Sequence, residues 1–559
     1  MLPGFVTFTL LTLRGLLLSL LLAGLCHDAA RAENLGQPPM LGAAARDPRS
    51  SFQLPPLRDA AGSDVRRQLD AMQVGRRARQ LGLTAASALE GWRSADATLA
   101  AARSRLVAAA PAQLRSFSGT RASQLNALLR DPAVTAVRVV GPRLEVDEPV
   151  LLRRATLWLD LGSAELRAVP NGPRFLVRVE SAANVTLLGG AFVGGEWGVL
   201  VDRARDATLR GGRYDGLRHG GVVFSHAPGA LLGGAHMTRI GGAPVLVHGD
   251  TVGAAVVDND IVGNTGSSNW HAGIVVSDRR GAVADDPLSL LGRDRYWAVE
   301  QPIESRLQGP RRTVLAFNRI ALNGSSGIYA DGAIETVMFD NVVEGNSKEG
   351  VCLDNGATAN VMAMNLIRLN GKRWGKTDAE LRLDFVDSMG RMADGSARAK
   401  TPGISLDNAA YNIVYANQVD RNYGGGVKMV RSAFFNLVGL NVITDNNEGV
   451  NERFHFFGIE LGAAEANAPS TELDFTPSRG NIVFGNVIRG PHYAGIFYAS
   501  GSTDNEVFDN SIFQATAWAM EQVRRQPNRS LNNMSNQPSR NIDAGIDPKL
   551  MELSRGRND

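Results

Sequence analysis

The chain of 559 residues predicts an all-β solenoid, a right-handed parallel β-helix with an N-terminal helical region. Three observations predict it. A short phrase with a central asparagine recurs: VVDNDIVGN (256–264), LAFNRIALN (315–323), VMFDNVVEGN (337–346), VMAMNLIRLN (361–370), IVYANQVDRN (413–422), LVGLNVITDN (437–446), IVFGNVIRG (482–490) and EVFDNSIF (506–513). Most units are followed by a run opening on Gly and an aliphatic residue, from GVLVD at 198 through GVCLD at 350 and GISLD at 403 to GIFYA at 495. Sixty-one glycines with only 6% aromatics favour many tight turns over an aromatic-rich globular core.

The elements follow in chain order. Met1 to Gly24 is apolar apart from Arg14, and Ala30-Arg31-Ala32 supplies an A-x-A cleavage signal, so 1–32 reads as a signal peptide. Export to the periplasm or beyond follows, with no stable membrane insertion after cleavage. No later stretch is long and apolar enough to span a bilayer. Cys352 is then the only mature cysteine, so packing and backbone pairing must hold the fold without a disulfide. Residues 33–62 read as a flexible leader rich in Pro, Gly and Ala. Residues 63–130, rich in Ala, Leu and Arg at helical spacing, read as two or three helices. After Pro132 the pattern changes to short β-type runs, giving a β-helix over 131–515. QATAWAMEQVRR then reads as a closing helix, and the polar tail after about 526 as poorly ordered, within a C-terminal segment of 516–559.

Equivalent asparagines (Asn341 and Asn365, Asn417 and Asn441, Asn486 and Asn510) stand about two dozen residues apart, inside the range of solenoid repeats. Three strands per turn need three bends, and Gly and Asn tolerate the αL conformation that bends require. Stacked asparagines would bond along the coil wall, so this ladder builds the fold.

On these repeats, residues 130 to 515 resemble the pectin-lyase-like right-handed β-helix superfamily. The likeness is to the carbohydrate-binding and sugar-hydrolase repeat group, which includes periplasmic alginate C5-epimerases. The resemblance implies a polysaccharide ligand. The chain lacks the Asp-Pro-His-Asp motif of those epimerases, and no adjacent Asp-Asp pair stands on the Gly-aliphatic strands.

Three insertions, at about 279–312, 371–401 and 447–479, interrupt the repeat beside the Gly-aliphatic strands and point to that wall as the working face. Alternation then assigns its side chains. Val351, Leu353, Ile404 and Leu406 point inward. The outward row is Tyr329, Cys352, Ser405, Lys428, Glu460, Phe497, beside Asp202, Ser225, Ser277, Asp331, Asp354, Asp407.

Asp331, Asp354 and Asp407 on successive coils admit three readings: a structural ladder bonded to the corner amides Asn355 and Asn408, a catalytic carboxylate group, or a Ca²⁺ site. Lys428 could act as base or as neutraliser of a sugar carboxylate, with Arg431 or Arg453 as the companion cation. His271 and His455 are alternative bases, since imidazole titrates near neutral pH. Tyr329, Tyr423, Trp270 and Glu460 are candidate contacts to sugar. A formal net charge of +3 is too small to argue for nucleic acid. The sequence therefore points to an exported enzyme that epimerises or cleaves an acidic, uronate-containing polysaccharide by β-elimination. The alternatives are a glycoside hydrolase and a non-catalytic binding or assembly factor that meets partners in exopolysaccharide biosynthesis.

Overall fold

A computed structural model describes residues 85–267, 269–277, 309–371, 401–430, 433–446, 457–462, 478–498, 502–523, 528–531, 533–536 and 540–542. All of them belong to one compact unit. The expected signal peptide and leader, and most of each insertion, lie outside the described residues, as do Arg431, Arg453 and His455.

Each turn of the chain lays down three short strands, and every pairing joins one turn to the next in parallel. One turn runs Val337–Phe339, Val342–Glu344, Val351–Asp354 and the next Val361–Ala363, Leu366–Arg368, Ile404–Asp407. The third strands form a 14-stranded sheet, here the third wall. The first and second walls count as one sheet of 27 strands, because the long strands Trp158–Ala168 and Thr186–Val193 run through both. Side chains alternate as the pleat demands. Met338, Val343, Val351 and Leu353 enter the core of one turn, and Met362, Ile367, Ile404 and Leu406 fill the next.

Three asparagine ladders, not one, hold the corners. Asn341, Asn365, Asn417 and Asn441 belong to the first, Asn346, Asn370, Asn422 and Asn446 to the second, and Asn360, Asn412, Asn436 and Asn481 to the third. Every rung repeats one pattern. Asn365 donates from its amide nitrogen to Asn417 Oδ1 at 2.9 Å and to Met338 O at 2.9 Å, while its backbone N–H donates to the same Oδ1 at 3.0 Å. Buried polar groups are thus paired, which removes the main cost of placing an amide in the core. The αL residue is not the asparagine, as the sequence reading had it, but its predecessor: Asp340, Met364, Ala416 and Leu440 all have φ between +49° and +57°. A non-Gly residue there costs about 1–2 kcal/mol. The ladder bonds offset it. At the end of the third-wall strands the expectation does hold, with Asn355 and Asn408 at φ +50° and +49°.

Close packing explains the glycine that opens third-wall strands such as GVCLD. A Cβ on Gly350 would stand 2.4 Å from Ile367 Cγ2 and 2.8 Å from Gly403 O. No side chain fits there.

Two helices are described in the region read as helical. Helix α1 (Ala85–Leu106) lies along the first wall and buries Trp92, Ala95, Leu99 and Ala102, a period of three and four residues. Trp92 meets Phe339 edge-on at 5.6 Å. Near the other end Arg105 donates to Thr208 Oγ1, Gly229 O and Ala207 O. Helix α2 (Ala122–Arg130) puts Leu125 and Leu129 into the core beside the first turn and covers the open end of the solenoid. Between them Arg115–Phe117 is already a strand paired with Ala136–Val139, so the β-helix begins earlier than residue 131.

The C-terminal expectation is corrected. Trp518–Val523, in the segment read as a closing helix, is a strand paired with Ala494–Tyr498. An open strand edge offers a row of unpaired backbone groups, and pairing with it outweighs the modest helix propensity of AMEQV. Strands at Arg529–Leu531, Met534–Ser535 and Arg540–Ile542 add a further turn within the tail read as unstructured.

Candidate functional site

The outward row of the third wall stands as alternation assigned it. Tyr329 pairs with Cys352, Cys352 with Ser405, Ser405 with Lys428, Lys428 with Glu460 and Glu460 with Phe497. In the adjacent row Ser277 pairs with Asp331 and Asp331 with Asp354, and the Leu353–Leu406 pairing sets Asp407 one coil further on. This row also contains a residue the sequence reading passed over. His248 stands between Ser225 and Ser277, because Ala243–His248 forms a coil whose strand does not open on Gly. Alternation along APVLVH would have found it.

The three aspartates face outward but are buried, at 0%, 8% and 2% exposure for Asp331, Asp354 and Asp407. Asp331 accepts from Ser277 Oγ at 2.9 Å and from the Asn355 side-chain amide at 2.5 Å. Asp354 accepts from Tyr329 Oη at 2.8 Å and from the Asn355 backbone N–H at 2.8 Å. For these two the bonds match the structural ladder, with Asn355 as the corner amide. A Ca²⁺ ion would need their oxygens free and convergent. Among the described residues no group of three or more His, Cys, Asp or Glu is arranged to hold a metal, so the set does not fit Ca²⁺.

Burial pushes the Tyr329 hydroxyl well above its usual range, and the Asp354 and Asp331 carboxylates push it further. Tyr329 is therefore a protonated donor fixed on Asp354, not a base. Its ring meets Trp270 edge-on at 5.3 Å, and both are buried, so Trp270 packs the wall and presents no face to a sugar.

Lys428 and Glu460 are different. Their side chains remain 31% and 20% exposed, and Nζ stands 3.8 Å from Oε2. An ion pair this open is worth little to stability, about 0–1 kcal/mol. Tyr423, half-buried, sits in the turn that leads into the Lys428 strand. His271 lies across the wall from the aspartates, at the start of the strand that ends on Ser277. Its Nδ1 is buried without a partner, and burial, then Lys348 and His219, lower its pKa. The structure thus brings Lys428, Glu460 and the aspartate rows onto one face and leaves His271 at its far edge.

Residues 318–513 match the family described as the right handed beta helix region. The described residues themselves wind as a right-handed parallel β-helix of three strands per turn. A comparison with curated proteins returned no match. Among solved structures, the periplasmic alginate epimerase AlgG is 12% identical, covering 76% of this chain and 85% of that one at a TM-score of 0.38. The AlgE6 A-module, a mannuronan C-5 epimerase of Azotobacter vinelandii, is 13% identical over 75% and 96% of the two chains, at 0.41. The DFA-IIIase of Arthrobacter chlorophenolicus A6 is 9% identical over 72% and 95%, at 0.40. With identities this low and TM-scores below 0.5, these likenesses carry no argument about this chain.

Proposed function

We propose that the protein is an exported enzyme that binds an acidic, uronate-containing polysaccharide along the third wall and removes the proton α to a sugar carboxylate. Returning the proton from the opposite face gives C5-epimerisation; loss of the C4–O leaving group gives β-elimination. One observation carries the reading. Lys428, its side chain 31% exposed, stands in register on a straight outward row, with Asp407 in the adjacent row one coil before it and Asp354 two coils before it. A polymer laid along the solenoid axis meets the cation, with the buried carboxylates in the adjacent row of the same wall. Lys428 neutralises the sugar carboxylate and so stabilises the charge that develops on proton loss. A base from the carboxylate row then takes the proton.

A second reading has its own support. Asp331 and Asp354 already accept bonds from Ser277, Asn355 and Tyr329, as expected of a wall that only holds its polymer. Purified protein, incubated with uronate polymers, distinguishes the two by absorbance of unsaturated products, NMR of epimerised residues, and new reducing ends. Lys428→Ala, Asp354→Asn and Asp407→Asn are expected to abolish turnover with the fold intact. Unchanged turnover in all three would remove this assignment. Binding without any product would establish the non-catalytic factor, and new reducing ends on a neutral polymer would establish a hydrolase.

A further inference from the structure

Aromatic residues are only 6% of the chain, yet four of them gather on the outward side of the third wall just beyond Glu460. Phe457 and Phe497 stack at 4.0 Å with their planes 5° apart, and Tyr493 meets Phe457 at 6.3 Å. Phe457 pairs across the coils with Ala494, and Ala494 with Trp518. A residue with only a methyl group therefore separates two large rings along the solenoid axis. By the spacing of paired strands those rings are about 10 Å apart.

Exposure distinguishes this group from the other aromatics of the same wall. Phe175, Trp197, Trp270 and Tyr329 form a closed cluster with the aliphatic residues of the N-terminal coils, none above 4% exposed. Phe457, Tyr493 and Trp518 are all half-buried. The first cluster is closed packing; the second is partly exposed, although Phe457 and Phe497 cover one face of each other and Phe497 is itself buried. Aromatic side chains with one open face suit ligands that present an apolar plane edged by polar groups.

We infer that Phe457, Phe497, Tyr493 and Trp518 form a sugar subsite that stacks a pyranose ring of the same polymer two coils from Lys428. The inference rests on the polysaccharide reading above and adds what that reading lacks, a contact indifferent to the sugar's charge. Phe497 continues the Lys428–Glu460 row in register, so a chain held by the ammonium runs directly onto the rings. The ammonium selects the acid, and the rings hold the sugar plane.

Calorimetric binding to a uronate polymer and to its carboxyl-reduced, neutral form tests the assignment. Phe457→Ala and Trp518→Ala are expected to weaken binding of both polymers by a similar factor, about fivefold to tenfold. Lys428→Ala is expected to weaken only the charged one. Phe457→Leu keeps an apolar side chain while removing the ring, and should weaken binding as the alanine variant does with an unchanged melting curve. Unchanged affinity for both polymers in the Phe457 and Trp518 variants would overturn the subsite. Equal wild-type affinity for the two polymers, still lost in Phe457→Leu, would support the subsite and refute the acidic-substrate reading. A wild-type protein that binds neither polymer would overturn both.

Discussion

His492 offers a sharp test of how the solenoid core handles charge. It lies in the turn between the strands Val487–Arg489 and Ala494–Tyr498, is 1% exposed, and leaves both ring nitrogens buried without a hydrogen-bond partner. Burial lowers its pKa from 6.5 to about 4. The unfolded chain therefore binds the proton more tightly than the native one between those two values, and stability must fall as the pH drops through that window. Linkage over that shift gives a loss of about 2 kcal/mol between pH 7 and pH 5, and about 3 kcal/mol by pH 4. His492→Leu removes the titrating group and two unsatisfied polar atoms at once. At pH 7 the variant should be as stable as the parent or slightly more so. At pH 5 it should be more stable by about 2 kcal/mol. Urea unfolding of both proteins at the two pH values gives the comparison, and other histidines cancel because both chains carry them. Equal losses on acidification in parent and variant would refute the reasoning.

Two further outcomes follow from the walls. Asn417→Ala strips the acceptor from the Asn365 N–H and amide and the donor from Met362 O, and should cost about 3 kcal/mol or more in chemical unfolding; a loss below about 1 kcal/mol would show that the ladder is not cohesive. Tyr329→Phe leaves Asp354 Oδ2 without its 2.8 Å donor and should cost about 1–3 kcal/mol. If Asp354 acts in proton transfer, turnover falls in that variant while polymer affinity, measured by calorimetry, stays as it was.

Much of the candidate site was legible because a strand has a period of two. Once GVCLD and GISLD were recognised as equivalent strands, alternation placed Val351, Leu353, Ile404 and Leu406 inside and Cys352, Ser405 and Lys428 outside, and the register agrees. The same rule says which way a side chain points but not whether anything covers it. Alternation thus places Asp331, Asp354 and Asp407 on the outer side of the wall, and only the structure shows them buried, with Ser277, Asn355 and Tyr329 bonded to the first two. The coil ending on His248 was missed because recognition leaned on an opening glycine, and APVLVH packs with Ala243 and Pro244 where other coils use Gly.

The sequence by itself determined the solenoid. A repeat of apolar residues, glycines and asparagines at one period is a local signal, and each turn makes the same use of it. Only the tertiary structure decided the rest. The left-handed bend falls on Met364 or Leu440 because the neighbouring asparagine is bonded to the next coil. The segment at Trp518 became a strand because an unpaired edge lay beside it. Phe457, Phe497, Tyr493 and Trp518 became one platform because coils remote in sequence stack in register. Each of these depends on a contact between turns, and a contact between turns exists only after the chain has wound.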